Sequence, residues 1–290
     1  MKTRLRFHSS VVRLSLTLGA PLCAVAVALV INFNSLAQST AIPDRHRQAG
    51  DQRAAVIRSS SEITSYLYLP AITKNEVCGP IPGETYASIA PETPGPDPSN
   101  DNLINLARRG YEPVAEYKGL IDTANSGDPN NAAPQFPDLF LDHRLPDFSD
   151  VYALYKGDLS GLITNPPVTL VGLAATPGEI IRLPDSGYDI GGFDAMVLYA
   201  DDTRLTAKYT RSDDVAGGYV VYLERVCVEP NLLSLYRQLN ASGRAQLPAL
   251  HGLQPLGHAL GAEIGVAVRD QGTLKDPRVC GSWWVDYCGE

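Results

Sequence analysis

Carboxylates supply the first chemistry in this sequence. Asp185-Ser-Gly-Tyr-Asp189, followed by Gly191-Gly192, packs two acids and several turn residues into one short loop. Asp201-Asp202 and Asp213-Asp214 are further acidic pairs, and Asp122 with Asp128-Pro-Asn130 makes another acidic loop. Hard cations such as calcium take about six to eight oxygens from loops of this kind. None of these loops matches an EF-hand, and Asp and Gly also populate turns for backbone reasons alone. Nitrogen donors are scarce. His46 lies in a charged stretch, His143 sits beside Asp142, Arg144 and Asp147, and His251 and His258 flank a Leu-Gln-Pro-Leu-Gly turn. Two imidazoles across a tight loop can share a metal, but solvated loop histidines are the commoner outcome. No Gly-x-Ser-x-Gly elbow, phosphate-cradling Gly-rich loop with Lys, or His-Glu-x2-His helix occurs. The adjacent Trp283-Trp284 either stacks on a sugar ring, as a glycan contact, or plugs one end of the fold.

Elements must position these groups, and the chain begins with a segment that cannot. Lys2, Arg4, Arg6 and Arg13 precede an apolar run, and Ser35-Leu-Ala37 offers small residues for cleavage, so 1–37 is predicted to be a signal peptide. The chain is then secreted or otherwise extracytoplasmic, and it meets a membrane only if this segment stays as an uncleaved N-terminal anchor. Removing 1–37 removes four basic residues and no acid, taking the net charge from −8 to −12. So acidic a chain argues against nucleic acid as a partner. Cys78, Cys227, Cys280 and Cys288 remain, an even count that favours two disulfides with three pairings open. Cys280 and Cys288 are near enough in sequence to close a small loop, which would leave Cys78 with Cys227.

Residues 38–78 read as a polar tether with one extended segment over 63–72. The six prolines of 79–100 read as a linker. A β-rich domain then spans 101–290. It starts with a short helix over 101–109, and strands are predicted over 151–155, 168–173, 179–183, 195–199, 204–209, 218–223 and 262–269. Short strands at this spacing, bounded by Gly, Pro, Asn and Asp, predict a mainly β fold: an antiparallel sandwich or barrel-like sheet with one or two short helices. Pro230 opens the clearest helix, with Leu232, Leu233, Leu235, Tyr236 and Leu239 clustered.

From about 180 to 290 the order of segments resembles the lysostaphin-type (M23) zinc metallopeptidase domain. The comparable pieces are Asp185-Ser-Gly-Tyr-Asp189-Ile190, Val197-Leu-Tyr-Ala200, Gly218-Tyr-Val-Val-Tyr222, Leu253-Gln-Pro-Leu-Gly257 and Gly261-Ala-Glu-Ile-Gly-Val-Ala-Val-Arg269, with Asp276-Pro277 after them. The resemblance implies an antiparallel β fold of secreted cell-wall enzymes. It also implies a departure. Asp185 stands where the first histidine ligand belongs, Asp189 where the aspartate ligand belongs, Glu263 replaces the assisting histidine and Gly265 the last ligand. Zinc hydrolysis needs good ligands and an open position for an activated water. Asp185, Asp189 and Glu263 would suit calcium better than zinc. The expected function is therefore a secreted or cell-surface, non-catalytic β-rich binding or structural module of the cell envelope, with a cell-wall or surface polymer as partner. The alternative is an M23-like cell-wall metallopeptidase.

Overall fold

A computed structural model describes residues 78–122 and 130–289. The predicted signal peptide, the tether up to residue 77 with its 63–72 segment, and His46 lie outside the described residues. The chain is mainly antiparallel β, as expected, in two open sheets. The larger runs β1 (Ala87–Ile89), β10 (Leu247–Leu250), β6 (Ala195–Asp201), β7 (Arg204–Lys208), β8 (Tyr219–Glu224), β12 (Glu263–Asp270), β4 (Leu170–Ala174), β3 (Phe148–Leu154) and β2 (Tyr111–Pro113). A short β13 (Thr273–Lys275) pairs with the end of β12. The smaller holds β5 (Ile180–Arg182), β11 (Pro255–Ala259) and β9 (Val226–Val228). Ile181, Val226, Val228, Leu256 and Ala259 of the small sheet join the same core as the large one. β6 and β8 are buried along nearly their whole length, which is why they read as continuous apolar runs rather than alternating ones.

All seven predicted strands form, with ends displaced by a few residues. The strands that sequence reading passed over are short and several carry proline. Pro248 is tolerated in β10 because only Ala249 and Leu250 pair with β6. Helix α1 (Pro230–Ala241) forms as predicted. Glu229 caps it through Leu232 N at 2.8 Å, and Leu232, Leu233 and Tyr236 are buried against β6 and β10.

Two expectations need correction. The proline-rich stretch 79–100 is not a free linker. It lies along the large sheet, with β1 paired to β10 and Ile81, Pro91 and Pro98 buried. Two of its other backbone donors bond the domain, Glu92 N on Arg211 O at 2.8 Å and Gly95 N on Asp213 Oδ2 at 2.7 Å. Nor does 101–109 form one helix. Two single 3-10 turns, Pro98–Asn100 and Leu106–Arg108, stand there instead. Asp97, Asp101 and Asn105 each accept from the backbone N–H two residues on, and this local bonding competes with helix continuation.

Two disulfides join Cys78 to Cys227 and Cys280 to Cys288. Such bonds are at home in oxidising compartments. Among the described residues no helix is long and apolar enough to cross a membrane. Beside the first disulfide a Cβ on Gly257 would meet Cys227 O at 2.0 Å, so the β9–β11 approach requires glycine there.

The two faces of the large sheet differ. Cross-strand register places Thr206, Tyr222 and Ala267 in one row, and Lys208, Val220 and Arg269 in the next, all on one face. Residues 98–110 cover that polar face, where Thr206 Oγ1 donates to Ile104 O and Tyr222 OH to Leu103 O. The opposite face holds Leu223, Val221, Val266 and Val268 in the apolar core.

Candidate functional site

The three carboxylates proposed as a calcium set are not brought together. Asp189 Oδ1 accepts from Gly191 N at 2.8 Å and Gly192 N at 2.6 Å, bonds that hold its carboxyl below the usual range. It is a turn residue. Glu263 opens β12 far along the chain and is held by Arg225 at 2.5 Å, by Tyr152 OH at 3.0 Å and by Ser149 Oγ. Burial, then its bond to Glu263, push the Tyr152 phenol up to about 12. Asp185 shares no partner with either. Among the described residues no group of three or more His, Cys, Asp or Glu could hold a metal ion.

Asp185 instead joins two acids that sequence reading did not single out. Its N–H donates to Asp138 Oδ2 at 3.2 Å, and its carboxylate interacts with that of Asp194. Burial and then Asp185 push Asp194 up, against the bond it accepts from Gly252 N at 2.7 Å. Burial also raises Asp138, although His143 Nδ1 lies 2.7 Å from its Oδ1. His251 lies over Phe193 at 4.7 Å between centroids. His258 sits apart in β11, its Nδ1 buried without a partner and its ring pushed toward neutrality by burial. Among the described residues, His143, His251 and His258 therefore do not share a site with Asp189. The Asp138–Asp185–Asp194 group takes backbone hydrogen bonds from Asp185 N, Ser186 N and Gly252 N, and a side-chain contact from the His143 ring.

The tryptophans are a plug, not an exposed sugar platform. Trp284 is wholly buried and Trp283 nearly so. Trp283 stacks on Phe136 at 5.8 Å, and Trp284 meets Phe136 and Phe148 at 5.6 Å. Their indole N–H groups donate to Asp276 O and Pro277 O. Both ring systems are thus committed to the fold, with α2 (Cys280–Trp283) and the second disulfide carrying them.

Beside this plug lies a cavity of about 560 Å³, walled by Tyr219, Leu274, Val279, Pro166 and the edge of Trp283. Asn130, Asp270, Lys275, Asp276 and Arg278 supply its polar groups. Register places Tyr219 opposite Asp270, and the β12–β13 hairpin brings Lys275 to the rim, 3.8 Å from Asp270. Asn130 Nδ2 donates to Tyr219 OH at 2.7 Å, and Trp283 meets Tyr219 edge-on. Arg278 holds Asp276 bidentately at 2.9 and 2.7 Å and donates to Tyr117 O at 2.6 Å. Asn130, Tyr219, Asp276 and Arg278 are thus engaged with one another or with backbone. Asp276-Pro277-Arg278 carried a legible signal, since Asp276 Oδ1 accepts from Arg278 N, the turn that Asp-Pro favours. Tyr219 and Asn130 carried none, because nothing local brings positions so far apart together.

Comparison of this chain with family models, with curated proteins and with solved structures finds no match.

Proposed function

We propose that this protein is an extracytoplasmic, non-catalytic binding module of the cell envelope, exported through its N-terminal signal and holding its ligand at the cavity between Tyr219, Lys275 and Arg278. The observation that carries this reading is the cavity itself. Its volume of about 560 Å³ lies in the range of small-ligand and residue-sized subsites, and a few polar groups surround an apolar wall. The paired cysteines and the acidic composition support export. A surface polymer that threads one unit into this cavity is the partner of choice.

The test is retention of the exported chain on purified cell wall, on polysaccharide and on intact cells, with Lys275→Trp filling the rim as the control. Retention that falls at least tenfold in the variant is expected. Absence of retention on every surface, or retention that the variant leaves intact, overturns the proposal. Stoichiometric zinc with chelator-sensitive lysis of cell wall would replace it with the metallopeptidase reading.

A further inference from the structure

The cavity beside the tryptophan plug carries its charges in a pattern that selects a class of ligand. Among the described residues its lining holds two carboxylates, Asp270 and Asp276, and two cations, Lys275 and Arg278, so the charges balance. The two pairs are unlike. Asp276 and Arg278 are buried and close on each other at 2.9 and 2.7 Å, and Arg278 gives a further donor to Tyr117 O. Asp270 and Lys275 are open, their side chains 31% and 43% exposed and 3.8 Å apart. That separation is too long for a hydrogen bond, and neither side chain makes one among the described residues.

The β12–β13 hairpin fixes the spacing of the open pair. It turns through Gln271 and Gly272, both at positive φ (49° and 76°), as a two-residue hairpin turn requires. Asp270 then faces Thr273, and Lys275 faces Val268, two residues before Asp270 on the same strand face. The acid and the base are therefore diagonal neighbours, and Tyr219 stands opposite Asp270 on β8. Ile121, Leu274 and Val279 make the adjoining wall apolar.

An exposed ion pair at such a distance contributes little to stability, so a ligand can take its place at small cost. We infer that this cavity binds a zwitterion of the α-amino acid class with an apolar side chain: its ammonium on Asp270, its carboxylate on Lys275 and its side chain against Ile121, Leu274 and Val279. An α-amino acid carries both charges on one carbon, which suits two opposite charges held side by side. Each contact turns a solvated charge into a charge-assisted hydrogen bond. A ligand with a net charge of either sign would leave one member of the pair facing a like charge, because the lining has no excess to offset it. The inference rests on the reading of this cavity as the ligand site, and it names the ligand's class.

Thermal denaturation of the exported chain in leucine provides the test, against glycine, isoamylamine hydrochloride and sodium 4-methylpentanoate at equal ionic strength. Glycine keeps both charges without the body and controls for the unsaturable stabilisation that excluded solutes give. The amine and the carboxylate keep the body with one charge each. At ten times its Kd leucine should raise Tm saturably by roughly 3–6 °C, with no saturable rise from the other three over the same range. Asp270→Asn and Lys275→Met each remove one charge and leave the cavity open. Each should weaken leucine binding by about tenfold. Both positions are partly exposed, so the ligand-free Tm should stay within about 2 °C. No saturable leucine response, an equal response to any of the other three, or a response that survives both substitutions overturns the inference. Retention on cell wall that Lys275→Trp abolishes, without a leucine response, overturns the zwitterion alone and leaves the envelope reading standing. A leucine response in a chain that no surface retains does the reverse. Release of wall-bound chain by leucine places the zwitterion on the polymer, and a leucine response without release places it on a free amino acid.

Discussion

Arg244 and Arg269 are both buried arginines bordering the polar interior of the large sheet, yet their surroundings are opposite. Arg244 holds Asp213 through Nε and Nη2, takes Asn240 Oδ1 at 2.7 Å and reaches Leu198 O at 3.0 Å, and Asp213 in turn accepts from Gly95 N. Arg278 with Asp276 repeats that arrangement at the aromatic end. Around Arg269 and Lys208 the partners are carbonyls and a phenol, all neutral. Where a buried cation is closed by its own carboxylate it fixes chain segments to one another, here 95, 213 and 244. Where it is not closed, the fold carries a positive charge in a place from which it gains little structural order.

The difference can be broken most forcefully from the paired side. Asp213→Ala should lower unfolding free energy by about 3–5 kcal/mol in urea titration, because it strands Arg244 in the interior. A loss under about 1 kcal/mol would mean that the pair is not closed as described. At the aromatic end, replacing both Cys280 and Cys288 by Ala should cost about 2.5 kcal/mol from the short loop they close, measured the same way.

From the unpaired side the sign reverses. Lys208→Met should raise stability at pH 7 by about 2 kcal/mol, since it removes a fully buried charge that has no ion pair among the described residues. The pH dependence sharpens this. Burial pushes the Lys208 ammonium down to about 8, so below that pH the folded chain carries a desolvated charge. Between about pH 8 and the unfolded value of 10.5 the unfolded chain binds more protons, and the lysine contribution to stability rises with pH. In Lys208→Met that rise should disappear from the difference between the two stability curves. The smallest effect belongs to an exposed pair. Arg237→Ala, which breaks the surface contact to Asp202 at 3.0 Å, should change unfolding free energy by no more than about 0.5 kcal/mol.

Much of the fold was legible because it depends on local pattern. The apolar runs at 195–199 and 218–223 could belong only to buried strands, and Pro230 after Glu229 marked the start of a helix. Cys78 with Cys227 was legible once Cys280 and Cys288 were taken as neighbours. The site was far less so. Asp185 and Asp189 look alike in sequence, yet one meets Asp138 and Asp194 while the other bonds two glycine amides in its own turn. The aromatic pair Trp283-Trp284 could not reveal its burial, since that depends on Phe136 and Phe148 arriving from more than a hundred residues away. Arg269 had the plainest disguise. An arginine ending a strand reads as a solvated flank, and only the covering by residues 98–110 makes it interior.

The Cys78–Cys227 bond has a mechanical consequence. Tension applied to the chain at Cys78 enters the fold at β9, in mid-sequence, and bypasses the 149-position span between the two sulfurs. The short edge strand β1, which would otherwise be the first to peel, is shielded from load while the bridge is intact. Reduction reroutes the pull through β1 and its three-residue pairing with β10, so the same force that the oxidised molecule resists at its small sheet would begin to unzip the large one from its margin.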